Sequence, residues 1–168
     1  MIFLKKNSTL FFLLPVSYCL LLFSCKQIDL YEKNTVIPKY EWQNTFTAKG
    51  NFTITDTVAL YNIYLVLRHT DAYKYNNIWL NIGLQFPGDS MVYNKANLLL
   101  ANDATGWEGN GMNDIWEVRK VLNDKPRPFK KQGTYNFSIA HIMRDNPLFN
   151  IMSAGLRIEK VKGELNEN

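Results

Sequence analysis

The sequence predicts an all-β domain, in the first place a β-sandwich of jelly-roll type and in the second a closed barrel. Three observations lead there. About eight stretches alternate apolar and polar residues with a period of two. Clusters of Gly, Pro, Asn and Asp separate them at the spacing of a sandwich or barrel. Aromatic residues make up 14% of the chain. Each ring can bury about 150–250 Å², so a sheet has material for a core.

The chain opens on Lys5 and Lys6, runs almost wholly apolar over residues 10–23, and turns polar after Ser24-Cys25. A basic start, an apolar run and a small residue before the cut form the pattern of a secretory signal. The run is shorter than the roughly 20 residues that cross a bilayer as a helix. Leu22-Phe23-Ser24-Cys25 resembles a bacterial lipoprotein signal. That resemblance makes the Cys25 thiol the lipid acceptor and Cys25 the first residue of the mature protein. The expected organisation is a lipoprotein signal peptide over 1–24, a lipidated Cys and tether over 25–40, the β-sandwich domain over 41–162 and a disordered tail over 163–168.

Within the domain, Phe52 and Ile54 alternate with Thr53 and Thr55. Over residues 59–69, Tyr61, Ile63, Leu65 and Leu67 share one face. Leu60, Tyr64 and Val66 share the other with Asn62 and Arg68, so both faces are expected to be partly covered. Ile78, Leu80, Ile82, Leu84 and Phe86 give the clearest period of two. Pro87-Gly88-Asp89-Ser90 then reads as a turn, and residues 91–100 as the returning strand of a hairpin. Residues 102–113 hold three Gly and three Asn, which supply positive φ and work against strand pairing. Strand pattern resumes over 114–122, breaks over 123–128 and returns over 133–139. Residues 141–150 are the best place for a short helix, which Pro147 limits. The last strand, over 155–161, points Leu156 and Ile158 inward and Arg157 and Glu159 outward.

Removing 24 residues from 168 leaves 144, one domain with a real core. The leader takes two of the 19 Lys and Arg and none of the 15 acids, so the remainder carries only +2. That gives no case for nucleic acid, which needs a concentrated basic face. Cys19 leaves with the leader and Cys25 takes the lipid, so no disulfide can staple the domain.

Candidate chemistry is sparse. His69 and His141 are the two histidines, and no His or Cys pair has metal or nucleophile spacing. Arg68 and His69, near Asp71, read either as a polar cluster for a ligand or partner carboxylate, or as a strand-end network; the second is favoured. Asp103, Glu108, Asn110 and Asp114 set oxygen atoms on a Gly-rich loop. Calcium accepts such loops, but the spacing is not that of an EF-hand, and no metal is expected. Trp107, followed by Trp116, would stack on sugar rings or anchor a protein contact if exposed; Trp42 and Trp79 read as core. Glu108 with Asp114 or Glu117 would be needed for glycoside hydrolysis, but among 15 acids some pair always looks suitable. No catalytic group and no cofactor are expected.

Five pieces then fall together: the lipoprotein signal, Leu67-Arg68-His69, Tyr75-Asn76-Asn77-Ile78-Trp79, Gly106-Trp107-Glu108-Gly109-Asn110-Gly111 and Gly155-Leu156-Arg157-Ile158-Glu159-Lys160. In this order and spacing the chain resembles the gliding-motility lipoprotein GldH family of Bacteroidetes, from the signal to about Lys160. The resemblance implies a lipid-anchored, non-enzymatic envelope protein. Its expected partners are the membrane, through the N-terminal lipid, and other proteins of the gliding machinery and its linked secretion system. An envelope glycan is the alternative partner. Lys26-Gln27-Ile28-Asp29 lacks the dense acidic run that resembles a surface-export signal, which favours the periplasmic side of the outer membrane.

Overall fold

The computed structural model describes residues 30–161. The leader, Cys25 and the tail over 163–168 lie outside them, and so do the expectations placed there.

Thirteen strands follow in order among the described residues: β1 (Leu30–Val36), β2 (Glu41–Trp42), β3 (Ala48–Ile54), β4 (Tyr61–Thr70), β5 (Asn77–Gln85), β6 (Met91–Leu99), β7 (Ala101–Asn102), β8 (Gly106–Trp107), β9 (Asn110–Met112), β10 (Ile115–Val121), β11 (Gly133–His141), β12 (Leu148–Phe149) and β13 (Ile151–Lys160). One sheet has the order β1-β13-β4-β10-β9 and the other β3-β11-β5-β6; β2 with β12, and β7 with β8, form two small pairs. All pairings are antiparallel. Among the eight long strands, every connection but the β5–β6 hairpin passes from one sheet to the other. That wrapping is the jelly roll, with two open sheets rather than a closed barrel.

Register explains the core. Ile63, Leu65 and Leu67 of β4 lie opposite Ile158, Leu156 and Ala154 of β13, all on the inward face. Ile78, Leu80 and Ile82 of β5 and Tyr135, Phe137 and Ile139 of β11 close it from the other sheet. Phe52 stacks on Tyr135 with ring centroids 5.3 Å apart, and Phe129 meets both edge-on at 5.5 and 4.9 Å. The period of two read in residues 59–69, 78–86, 133–139 and 155–161 is the pattern of these buried rows.

Three local expectations need correction. The stretch 25–40 is not a tether throughout. Leu30–Val36 is a full strand, paired with β13 over seven residues, and Pro38–Tyr40 makes a 3-10 turn. Its alternation is hidden because Lys33 and Thr35 stand opposite the buried row of β13, while Leu30 and Val36 share the outward face with Glu32, which meets Arg157. Residues 141–150 form no helix. His141 is still paired in β11, opposite Leu80, and Leu148–Phe149 pairs with β2. The Gly- and Asn-rich stretch 102–113 is not free of pairing either. Gly106, Gly109 and Asn113 do take positive φ, at 77°, 94° and 57°, but between those bends run β8 and β9.

Candidate functional site

The residues singled out in the sequence gather at one pole, where β4 ends, but they divide between the two sides of the sheet. Successive residues of a strand point to opposite faces. His69 therefore turns inward and is 0% exposed, while Arg68 turns outward. The two do not form one polar cluster, and Asp71 joins neither side chain: its backbone N–H donates to Asp114 O at 2.8 Å, tying two loops together.

Trp107 is not an exposed platform. Its ring packs on His69, centroids 4.6 Å apart, and reaches Tyr73 at 6.3 Å. The β7–β8 hairpin holds it there, with Glu108 N–H donating to Leu100 O at 2.8 Å. Glu108 itself is ion-paired to Lys120, an inward position of β10. Asn110 and Asp114 stay exposed on β9 and the turn after it. Glu108, Asn110 and Asp114 thus point to different surroundings. Among the described residues no group of three or more His, Cys, Asp or Glu could hold a metal ion.

Outside, Arg68 joins a network that sequence alone did not show. Its guanidinium meets Glu117 at 2.6 Å, and Arg119 meets the same carboxylate at 2.7 Å and Glu32 at 3.9 Å. Arg157 reaches Glu32 at 3.1 Å and Glu159 at 3.3 Å. Burial pushes the Glu117 carboxyl up, but the hydrogen bonds and charges of Arg68 and Arg119 outweigh it and hold it below the carboxylate range. A carboxyl so held stays ionised and is unsuited to act as a general acid. The signal was the spacing Glu117/Arg119 and Arg157/Glu159, each two apart on one face; linking them to Glu32 needs the register.

The two imidazoles have a measurable consequence. His69 Nδ1 lies 2.8 Å from Thr70 O and donates to it. His141 sits against the edge of Trp42, centroids 5.5 Å apart. Burial lowers both pKa values, against smaller upward pulls from Thr70 and from the Trp42 backbone. The folded chain thus resists two protons that the unfolded chain binds near pH 6.5. Stability is full above that pH and falls as pH drops through it, by up to about 1.4 kcal/mol per unit for each ring. Asp56, held at about 2 first by its hydrogen bond with Lys160, belongs to a separate, more acidic window. Urea unfolding at pH 7.5 and 5.5 should show the loss, and His69→Phe should roughly halve its slope. Equal stability at both pH values would contradict it.

A family model described as GldH lipoprotein matches residues 29–158. The gliding motility lipoprotein GldH homolog of Christiangramia forsetii is 24% identical over 151 residues, covering 85% of this chain and 91% of its own. The gliding motility lipoprotein GldH of Flavobacterium johnsoniae is 25% identical over 162 residues, covering 92% and 97%. Among solved structures, the VP2 subviral particle of infectious bursal disease virus aligns over 83% of this chain at 14% identity, with a TM-score of 0.34. The chain spans about a third of that protein (34%), and so low a score adds nothing to the fold.

Proposed function

The chain belongs to the GldH lipoprotein family, and on that premise we propose that it is a lipid-anchored accessory of the cell envelope that serves gliding motility and its linked secretion. It works through protein contacts and not through catalysis. The anchor is a thioether at Cys25, exposed when the leader over 1–24 is removed. A single acyl chain binds a bilayer only weakly, so a stable anchor carries at least two. The domain faces the periplasm from the outer membrane, since Lys26-Gln27-Ile28-Asp29 holds no acidic run.

The observation that supports this most is how near Cys25 the first strand lies in the chain. Cys25 precedes Leu30, the first residue of β1, by five positions. Extended, that leash spans at most about 18 Å. It keeps the pole of Leu30, Tyr61 and Lys160 towards the bilayer. The other pole lies one length of β4 away, about 33 Å for its ten residues. There Asn110, Met112 and Asp114 are exposed, with Met112 the one large apolar side chain of β9 open to solvent. A domain held close at one end and presenting loops at the other is arranged to meet a partner standing off the membrane.

Radioactive palmitate tests the anchor in cells. The native protein should be labelled and sediment with membranes, and Cys25→Ala should be unlabelled and lose its membrane association. A variant that stays equally labelled and membrane-bound ends the proposal.

A further inference from the structure

The two outer faces of the sandwich differ in a way the family relationship does not address. On the β1-β13-β4-β10 face, Glu32, Glu117 and Glu159 are each ion-paired with an arginine. The β3-β11-β5-β6 face has no acid at all on its outward positions. It holds amides, Lys49 and Lys95, and the rings of Trp79 and Tyr93, and in it opens a groove of about 780 Å³ lined by Lys49 and Tyr93 among others. That volume is within the range of small-molecule sites, about 300–1,000 Å³.

From its chemistry, we infer that this groove binds an anionic saccharide: a short stretch of sugar rings carrying carboxylate or phosphate. Asn51, Asn81 and Asn136 line it from three strands. The side-chain amides of Asn51 and Asn81 make no hydrogen bond within the described residues, and that of Asn136 spends one N–H on Gln85 at 2.9 Å. An amide offers donors and an acceptor together, which is what a row of hydroxyls requires. Lys49 lines the groove, and Lys95 stands in register with Asn81. Neither has an acidic partner among the described residues, so both charges are available to an anion.

The rings complete the match. Tyr93 is 56% exposed and Trp79 is 43% exposed, on adjacent strands of the same face. Tyr93 lies across Gly83, its register partner. A Cβ at Gly83 would come within 2.8 Å of the Tyr93 ring and 2.7 Å of Met91 Sδ, and would overlap Ser138 Oγ. The glycine thus lets the ring lie down as a floor that a sugar face can cover. The exposed apolar side chains of this face, Trp79, Tyr93 and Leu99, are interspersed with Asn81, Lys95 and Asn97, whereas a protein partner calls for a continuous apolar centre and nucleic acid for a denser basic surface. The sugar-stacking role considered for Trp107 therefore moves to Tyr93 and Trp79.

The test uses the full-length protein, purified in detergent, on an array of uronate-bearing, phosphate-bearing and neutral oligosaccharides. Acidic probes should be retained above neutral ones of equal length, and the two acidic arms tell carboxylate from phosphate. Tyr93→Ala, Asn81→Ala and Lys49→Ala should each weaken retention about five- to tenfold, the effect of one lost contact of this kind. All three positions are at the surface, so their melting temperatures should stay near the native value, which separates lost binding from lost folding. Retention of no oligosaccharide, equal retention of neutral and acidic ones, or retention unchanged in all three variants would overturn the inference. None of these outcomes bears on the Cys25 anchor, whose test stands apart.

Discussion

Trp42→Ala should cost about 4–6 kcal/mol and lower the melting temperature by roughly 10–20 °C. The indole is 0% exposed and its Nε1–H donates to Phe46 O at 2.9 Å. Removing it leaves a void, which for a buried aromatic costs about 3–5 kcal/mol, and strips a carbonyl of its partner for about one more. The cost falls on the end of the sandwich that β2 and β12 close, where the ring also meets His141. Total stabilities are about 5–15 kcal/mol, so much of the margin goes. Trp79→Ala is the control. Its exposed ring should shift melting by only a few degrees. Circular dichroism melts of the two variants side by side decide it. A Trp42→Ala protein that melts within about 3 °C of the native one would show that this pole does not depend on the indole.

Gly155→Val should be nearly as damaging, by about 3 kcal/mol or more, although strand preference points the other way. Valine is favoured over glycine in a strand by at most about 1 kcal/mol. Against that stands geometry. A Cβ at Gly155 would overlap Lys33 O and lie 2.7 Å from Asn34 Cα. These are backbone atoms of β1 and cannot rotate away, so the strand must shift or detach. Gly155→Ala should cost nearly as much, because the first carbon already collides. Hydrogen exchange should report the loss first along β1 and β13, and trypsin should gain access after Lys33. A Gly155→Val protein with native exchange protection on β1 would refute the steric account.

Much of this fold was legible because its core strands alternate cleanly. Ile78, Leu80 and Ile82, or Leu156 and Ile158, are apolar inward, with Asn81, Gly83, Arg157 and Glu159 outward, and the structure buries the inward rows. What stayed hidden depended on partners far along the chain. Leu30–Val36 carries Glu32, Lys33 and Asn34 in its middle, and only pairing with β13 makes a strand of it. His141 belongs to β11 because Leu80 lies opposite, which local spacing cannot reveal. The short strand Asn110–Met112 forms against Ile115–Val121 despite two glycines around it. The division of Arg68 from His69 is different. Period two already places neighbours on opposite faces, so that separation was available in the sequence, and the shared cluster was the wrong reading. Trp79 shows the limit of composition. Its place between Ile78 and Leu80 already sets it opposite the buried row, and it is 43% exposed where Trp42 is 0%.

β1 also decides how the molecule meets traction. Its seven residues stay in register with β13 from Leu30–Glu159 to Val36–Ser153. In an antiparallel pair the hydrogen bonds lie perpendicular to the strands. Tension applied at Leu30 along the strand therefore loads every rung in shear, and all must yield together. The same tension applied sideways would open them one by one, like a zipper. Pulled at Leu30 along its own line, β1 thus resists in the direction in which it is hardest to draw out.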